Sequence, residues 1–236
     1  MTIGILCAGD RELAPFLPHI ENKRTSDKAM LTVHEGTIRG MPVAALFSGV
    51  CKVNAAVAAQ ILIDLYHVDL FVNAGTCGAL DPALDLFDTV ISTESVYHDV
   101  AEHILTDFHP WMESVFFPSD PSLLMLAEAA CKRIQGIGKI RFGRTVTGEA
   151  FITDEGRNEI NQRFHPLSVD METAAVAHVC YVNRLPFLAV RTVTDTPERR
   201  GVGEFEKNCG KASAIAKDIT LALIDELDAE KEPDHA

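Results

Sequence analysis

The chain opens with Thr2-Ile3-Gly4-Ile5-Leu6-Cys7, an apolar run that leads into the small-residue turn Ala8-Gly9-Asp10. A short apolar run bounded by a turn indicates a strand that is buried on both faces, as in a parallel sheet covered by helices. A buried strand this close to the start of a chain is typical of parallel α/β sheets. We therefore predict that residues 2–7 form a strand of such a sheet.

Outward from this strand, strand-like runs alternate with helical patterns along the whole chain. Further strands are predicted at residues 29–34, 42–47, 69–73, 87–93, 139–146, 167–169 and 187–193. Helices are predicted at residues 52–66, 122–134, 155–163, 172–182 and 203–227, with a shorter helical stretch between residue 10 and Pro18. The alternation predicts a single three-layer α/β/α domain with a central mixed, mostly parallel sheet. We expect this domain to span residues 1–228 and to be followed by a polar tail, residues 229–236.

The composition narrows the class of function. The 236 residues are 47% hydrophobic and carry a net charge of −13, which disfavours nucleic acid as a partner because phosphates repel an acidic surface. No apolar run reaches the roughly 18–20 residues of a membrane span, and residues 2–8 are too short for a signal peptide. The six cysteines are scattered without a C-x-x-C pair, which disfavours a disulfide framework and a structural metal site. Free thiols of this kind predict a reducing cytoplasm.

Three carboxylates follow predicted strands and are candidates for acid–base chemistry. Glu12 comes after the first strand, Glu172 opens a predicted helix, and Asp195 follows the strand at 187–193. Ligand sites of α/β sheets lie at the carboxyl ends of the strands, so the three could share one pocket. Cleavage of a glycosidic bond uses one carboxyl to protonate the leaving group and one to activate water. Each residue has an alternative interpretation as a helix N-cap or a solvated charge.

Two further segments have a functional and a structural interpretation. Gly75-Thr76-Cys77-Gly78-Ala79 is predicted to be a turn after the strand at 69–73. This turn is either a backbone cradle for an anion or sugar hydroxyl or a tight connection without a ligand, and it lacks the lysine of a P-loop. Phe151 is either a base-stacking ring or a core aromatic.

Several segments, in their order along the chain, resemble the nucleoside phosphorylase superfamily, and within it the methylthioadenosine/adenosylhomocysteine nucleosidases. The most specific are Val169-Asp170-Met171-Glu172-Thr173-Ala174-Ala175-Val176-Ala177, Thr147-Gly148-Glu149-Ala150-Phe151-Ile152 and Arg191-Thr192-Val193-Thr194-Asp195. Residues 48–56, which include Val50, and Tyr97-His98-Asp99 also fit. The similarity spans Ile3 to about Leu227.

The resemblance implies hydrolysis of the N-glycosidic bond of 5′-methylthioadenosine and S-adenosylhomocysteine, with 5′-deoxyadenosine as a further substrate. Glu12 would activate water, Asp195 would protonate N7 of adenine, and Glu172 would bind the ribose hydroxyls. The resemblance also implies a homodimer, a small adenine nucleoside as the substrate, and neither a metal nor an organic cofactor. The remaining substrate-binding residues would be Val50, Thr76, Phe151, Ile152, Met171, Arg191 and Thr194, with Arg191 and Thr194 helping to position Asp195.

A phosphate-dependent purine or uridine phosphorylase is the enzymatic alternative. Phosphorylases of the superfamily place arginines around phosphate, one of them at the position of Asn73 in this chain. The phosphorylase segment Gly-Asp-Pro-x-Arg is replaced by Gly9-Asp10-Arg11-Glu12, which puts an acid where a phosphate would bind. Repulsion between Glu12 and phosphate favours water as the nucleophile.

The chain departs from the nucleosidase pattern at Asp170, which affects contacts behind the site, and at two places that leave the 5′ substituent open. Asp170 stands where the family has glutamate, and Cys7-Ala8-Gly9 replaces Gly-Ala-Met, whose methionine lies against the 5′ group. The irregular segment 94–121, with Phe108 and Trp111, differs most, and in the family it helps to form the 5′ pocket across a dimer interface. A futalosine-type nucleosidase and a non-catalytic nucleoside-binding protein are the remaining alternatives.

Overall fold

A computed structural model describes residues 1–101, 103–109, 112–152 and 154–230, and for Asp154 and Glu155 it describes the backbone alone. Over these ranges the chain forms one mixed sheet with helices on both faces, which confirms the predicted α/β class. The strands are β1 (Ile3–Cys7), β2 (Glu21–Lys28), β3 (Leu31–Ile38), β4 (Met41–Phe47), β5 (Leu70–Ala79), β6 (Thr89–Tyr97), β7 (Phe117–Pro118), β8 (Ile140–Thr147), β9 (Ser168–Asp170) and β10 (Phe187–Asp195). The helices are α1 (Asp10–Leu13), α2 (Lys52–Tyr66), α3 (Ile104–Asp107), α4 (Pro121–Arg133), α5 (Asp154–Phe164), α6 (Thr173–Asn183) and α7 (Val202–Ala229), with a 3-10 turn at Leu17–His19.

The sheet runs in the order β10-β6-β8-β9-β5-β1-β4-β3-β2, and β10 also pairs with β5. This extra pairing curls one half of the sheet into a closed, barrel-like ring. Parallel ladders join β1 to β4 and β5, β5 to β10, and β8 to β6 and β9. Antiparallel ladders join β10 to β6, β5 to β9, β6 to β7, and the successive strands β2, β3 and β4. The strands β1, β5 and β10 therefore run side by side, and their carboxyl ends meet at one edge.

Alternate side chains of these central strands enter two separate cores. On β5, Val72 packs with α4 and α7 on one face, whereas Phe71 packs with α2 and α6 on the other. The same alternation separates Ile5 from Leu6 on β1. Because side chains of a strand point to opposite faces in turn, a strand covered on both faces is apolar at nearly every position. This is why the short apolar runs were sufficient to predict the central strands.

Polar sequence and local strand extension account for the differences from the predicted elements. The edge strand β2 was not predicted, because its eight residues are all exposed and show no apolar alternation. The helical stretch predicted as far as Pro18 is limited to α1 and the 3-10 turn. Within segment 94–121, β6 continues to Tyr97, and α3 and β7 interrupt the predicted loop. Trp111 of that segment lies outside the described residues.

The predicted turn at residues 75–79 is wrong. These residues continue β5, where Gly75 pairs with Arg191 of β10 and Gly78 pairs with Val169 of β9. These residues form ladders with β9 and β10, and the N–H of Thr76 donates to the Glu12 carboxylate, so the segment is a strand and not a turn that cradles a ligand.

The helix α7 ends at Ala229, one residue beyond the predicted end of the domain. Residues 231–236 of the predicted tail lie outside the described ranges, so the tail stays a prediction. Among the helices that the structure describes, none has both the length and the apolar character needed to cross a bilayer.

Candidate active site

A cavity of about 400 Å³ lies at the edge where β1, β5 and β10 end. Ligands of α/β sheets bind at such an edge, in the crevice outside the carboxyl ends of the strands. Nine of the ten residues predicted for the site line this cavity, and Arg191 does not. The lining comprises Ala8, Gly9, Asp10, Arg11, Glu12, Val50, Thr76, Cys77, Gly78, Ala150, Phe151, Ile152, Val169, Asp170, Met171, Glu172, Thr194, Asp195, Val202, Phe205, Glu206 and Cys209.

Glu12 is held rigidly by four hydrogen bonds. The backbone N–H groups of Ala8 and Gly9 donate to Oε2 at 2.7 and 3.1 Å. The N–H and the hydroxyl of Thr76 both donate to Oε1 at 2.7 Å. An ionised carboxylate offers about four acceptor positions, so these four donors suit a charged group and leave it little freedom to turn. A water could approach Oε1 by sharing or displacing the bond from the Thr76 hydroxyl.

Glu172 stands at the start of α6 and is nearly inaccessible to solvent. Its Oε1 accepts a 2.9 Å hydrogen bond from the N–H of Cys51, and its Oε2 lies 3.9 Å from Arg191. Burial raises the pKa of Glu172 to about 8, with Asp170 and Glu12 adding to the rise and Arg191 opposing it. Hydroxyl groups that donate to this carboxylate would favour its charged form and lower the pKa again.

Arg191 lies beneath the cavity wall with 0% of its surface exposed. Its Nε is 3.0 Å from Asp170 Oδ2 and donates to the Thr173 hydroxyl at 2.8 Å, and its Nη2 donates to Asn73 Oδ1. Among the described contacts, these bonds tie Arg191 to Asp170 and not to Asp195, so the structure does not support the predicted role of Arg191 in positioning Asp195. Asn73, which the resemblance aligns with a phosphorylase arginine, donates its amide to Leu6 O and does not line the cavity.

Asp170, at the position where the resemblance predicts glutamate, bonds to the start of α6. Its Oδ1 accepts hydrogen bonds from the Thr147 hydroxyl at 2.6 Å and from the N–H groups of Glu172 and Thr173 at 3.2 and 3.0 Å. These bonds satisfy free N–H groups at the start of α6, and a negative charge there also suits the helix dipole. Asp170 therefore joins Arg191 to the backbone that presents Glu172.

Asp195 is the last residue of β10 and is 3% exposed. The ladder to β5 shifts between Val193 and Asp195, and such an irregularity redirects the side chain next to it. The displaced Thr194 donates to Asp195 Oδ1 at 3.0 Å, and Asn208 of α7 holds Thr194 O at 2.9 Å. Burial raises the pKa of Asp195 to about 6, against the opposing effects of Thr194 and Arg157.

Gly75 and Gly78 leave room for two of the carboxylates. A methyl group on Gly75 would lie 2.6 Å from Glu12 Oε1 and 2.8 Å from Arg191 Nη1. A methyl group on Gly78 would lie 3.1 Å from Asp195 Oδ2. Glycine inside a strand often marks a close approach of another group, and here that group is a carboxylate at both positions.

An aromatic pair flanks the same cavity. The ring of Phe151, which is 38% exposed, meets the edge of Phe205 with ring centroids 6.4 Å apart. Ile152 follows Phe151 in the loop between β8 and α5, and both residues line the cavity. An exposed aromatic face beside a buried acid of raised pKa suits a flat, protonatable heterocycle.

The family model of the phosphorylase superfamily matches residues 2–225 of this chain. The chain belongs to the phosphorylase superfamily. Among curated members of this superfamily, the 5′-methylthioadenosine/S-adenosylhomocysteine nucleosidase of Anoxybacillus flavithermus is 32% identical, with 96% of this chain and 99% of the relative aligned. The nucleosidase of the same name from Chromohalobacter salexigens is also 32% identical, over 95% of this chain and 97% of the relative.

Solved structures of two nucleosidases have the same fold as this chain. The nucleosidase of Colwellia psychrerythraea in complex with adenine superposes with a TM-score of 0.88 at 30% identity, covering 96% of each chain. The enzyme of Neisseria meningitidis in complex with methylthio-immucillin-A superposes with a TM-score of 0.86 at 28% identity, covering 94% of this chain and 98% of the other. The barrel-like ring and its flanking helices are therefore the fold of the superfamily.

Sequence reasoning missed one wall of the site. The first two turns of α7 contribute Val202, Phe205, Glu206 and Cys209 to the cavity, and Arg11 at its mouth contacts the carbonyl of Glu206. These positions look like an ordinary amphipathic helix, and no local pattern separates them from its other residues. The two glycines of β5 make room for Glu12 and Asp195 and are a further signal for these carboxylates, but their sequence also fits the turn predicted above.

Proposed function

We propose that this chain hydrolyses the N-glycosidic bond of 5′-methylthioadenosine and S-adenosylhomocysteine, and of 5′-deoxyadenosine, to adenine and the 5′-modified ribose. The observation that carries the proposal is that Glu12, Glu172 and Asp195, from three distant segments, face one cavity beside Phe151. The relatives at 32% identity bear the name of this nucleosidase. The related Streptococcus pneumoniae enzyme, 29% identical, was solved with a transition-state inhibitor, MT-ImmA.

The environment of each carboxylate supports a separate role. Asp195 has a raised pKa and would give its proton to N7 of the adenine, which turns a poor leaving group into a better one. Glu12, oriented by four donors, would take a proton from the attacking water. Glu172, at the ribose, would accept the sugar hydroxyls, and its negative charge would stabilise the cationic sugar of the transition state. The ring of Phe151 and the backbone of Ile152 would hold the base, with Met171 under the sugar.

The charge of the cavity supports water over phosphate as the nucleophile. Its lining includes six carboxylates (Asp10, Glu12, Asp170, Glu172, Asp195 and Glu206) and a single cationic side chain, Arg11. The buried Arg191 is already paired with Asp170. Within the described residues, a phosphate dianion would therefore meet several negative charges with little compensation.

The test of the proposal is adenine release in the presence and absence of phosphate. We expect release from methylthioadenosine, adenosylhomocysteine and 5′-deoxyadenosine in phosphate-free buffer, with free 5-methylthioribose from the first of these. Added phosphate should leave the rate unchanged, and no sugar 1-phosphate should form. Release that requires phosphate would make the chain a phosphorylase, and no release from any of the three would contradict the proposal.

We also propose that two copies form a homodimer through the exposed face of α2. Val53 and Val57, one turn apart on this helix, are 72% and 44% exposed, and Val50 just before it is 56% exposed. Ile104 of α3 and Phe108 also expose apolar surface. An apolar stripe of this kind on a protein surface is usually covered by a partner. The stripe adjoins the cavity through Val50, so a second copy placed there would reach the site.

Sedimentation equilibrium at micromolar concentration is expected to give twice the chain mass of 25.8 kDa. Val53→Asp should shift the protein towards the monomer, because a charge would be buried at the interface. Met125→Asp, on exposed surface of α4, is the matched control and should leave the mass at the dimer value. A wild-type chain that sediments as a monomer would contradict the proposal.

We further propose a cytoplasmic location, because all six cysteines are free thiols and four of them are buried. Fractionation of cells that produce the chain should recover it with cytoplasmic markers, and recovery from the exterior would contradict this location.

A further inference from the structure

Three charged residues from separate segments of the chain form a closed ring of hydrogen bonds beside the cavity. The Nζ of Lys52 donates to both carboxylate oxygens of Asp99, at 2.8 and 2.9 Å. Asp99 Oδ2 accepts the backbone N–H of Glu149 at 2.9 Å, and Glu149 Oε1 accepts the backbone N–H of Lys52 at 3.1 Å. The start of α2, the end of β6 and the loop after β8 are thereby joined. We call this ring the Lys52–Asp99–Glu149 clamp.

The clamp holds the loop that carries the base-side residues of the cavity. This loop begins at Gly148, whose N–H donates to Asp170 O and whose Cα packs so closely on His98 that a methyl group would overlap the imidazole. Glu149 is anchored through both its backbone and its side chain. Beyond Glu149, Phe151 has one described ring contact, with Phe205, and is 38% exposed. The position of Phe151 therefore depends on the anchor two residues before it.

The same helix start also contacts the carboxylate assigned to the ribose. The N–H of Cys51 donates to Glu172 Oε1, and the next N–H, from Lys52, donates to Glu149 Oε1. Two successive N–H groups at the positive end of α2 thus bind one carboxylate on the sugar side and one on the base side. This arrangement links Glu172 to the loop that carries Phe151 and Ile152.

The clamp is partly shielded from water, which strengthens it beyond a surface ion pair. The side chains of Lys52 and Asp99 are 20% and 28% exposed, and the Lys52 ammonium lies over the ring of Tyr97, 5.2 Å from its centroid. Burial alone would raise the pKa of Asp99, but the hydrogen bonds from Lys52 and Glu149 outweigh it and bring the pKa below its usual value. Asp99 therefore stays charged over the working range of pH.

We propose that Lys52 and Asp99 are positioning residues that hold Phe151 and Ile152 against the purine and so set the affinity of the site for the base. The proposal rests on the proposed nucleosidase function. The two residues act through Glu149 and touch no reacting group. Stacking on the base is made in the ground state and the transition state alike, so its loss changes KM and leaves kcat nearly constant.

The experiment compares Asp99→Asn, Lys52→Met and the double variant with the wild-type chain. Each single variant should raise KM for methylthioadenosine about three- to tenfold and leave kcat within about twofold. A tenfold rise corresponds to a loss of about 1.4 kcal/mol in binding free energy. The KM of the double variant should be no higher than the KM of the more impaired single variant, because both changes open the same ring. Asp218→Asn is the matched control, as Asp218 is an exposed carboxylate paired with Lys217 on α7.

Product binding separates positioning from general damage to the fold. In titration calorimetry the variants should bind adenine more weakly by the same factor as the rise in KM, and should bind 5-methylthioribose like the wild type. An equal loss for both products would overturn the proposal, as would a lowered melting temperature with unchanged KM. If the wild-type chain released no adenine, the proposed function would fail. Adenine binding by the wild type and the variants would then still test whether the clamp positions the base-side loop.

Discussion

Asp195→Asn is expected to lower kcat for methylthioadenosine by about 10²–10⁴-fold, the usual contribution of a general acid. The amide can keep the hydrogen bond from the Thr194 hydroxyl to its oxygen. It cannot supply a proton to N7, so adenine would have to leave as an anion. The KM should change by no more than a few fold, because the cavity and the stacking ring are retained. Initial rates of adenine release measure both constants.

The pH dependence gives a second measure of the same role. Asp195 must be protonated to act as an acid, and burial raises its pKa to about 6 in the free chain. We therefore expect kcat/KM to fall as pH rises through about 6, since that ratio reports groups of the free enzyme. A bound nucleoside excludes more water, so the corresponding fall in kcat should occur at higher pH. In Asp195→Asn this limb should disappear from both profiles.

The thermal stability of Asp195→Asn shows whether its loss of activity comes from the missing acid or from damage to the fold. A carboxyl whose pKa is raised on folding from 3.8 to about 6 contributes no penalty below its unfolded pKa. It destabilises the fold as pH rises through about 6, by up to about 3 kcal/mol. The variant should therefore melt at a higher temperature than the wild type at pH 7.5 and at a similar one at pH 4. An unaltered pH–rate profile in a well-folded variant would refute the assignment of Asp195 as the acid.

Glu12→Gln is expected to lower kcat by about 10²–10⁴-fold through loss of the group that accepts the proton from water. Two N–H groups already donate to Oε2 and two donors of Thr76 point at Oε1. The amide NH₂ of glutamine must face one of these pairs, so the variant should also lose about 1–3 kcal/mol of stability through unsatisfied donors. Single-turnover adenine release and urea unfolding measure the two effects.

Binding distinguishes a chemical role of Glu12 from damage to the cavity. Glu12→Gln should still bind adenine with wild-type affinity, because Phe151 and Asp195 on the base side are unchanged. Glu21→Gln is the matched control, since Glu21 is an exposed residue on the edge strand β2. If Glu12→Gln kept most of its turnover, Glu12 would not be the group that activates water. The dependence of adenine release on added phosphate would then have to identify the nucleophile.

Local patterns in the sequence were enough for the elements that are buried or strongly periodic. The helix predicted at residues 52–66 is α2 with the same limits, and the central strands lie where the apolar runs are. The carboxylates Glu12, Glu172 and Asp195 were chosen because each follows a predicted strand, and the structure brings all three to one cavity. Their roles in catalysis stay predictions until the substitutions above are made.

What the sequence by itself determined is therefore the class of the fold, the position of its central strands and the set of acids at their carboxyl ends. Tertiary structure alone decided that residues 74–79 extend a strand, that the polar segment 21–28 is an edge strand, and that α7 forms a wall of the site. It also decided that Arg191 supports Asp170 and Glu172. The physical reason is that the burial of an element appears as a periodic pattern of apolar residues within that element. Hydrogen-bond partners and strand register depend instead on residues that are far apart in the chain.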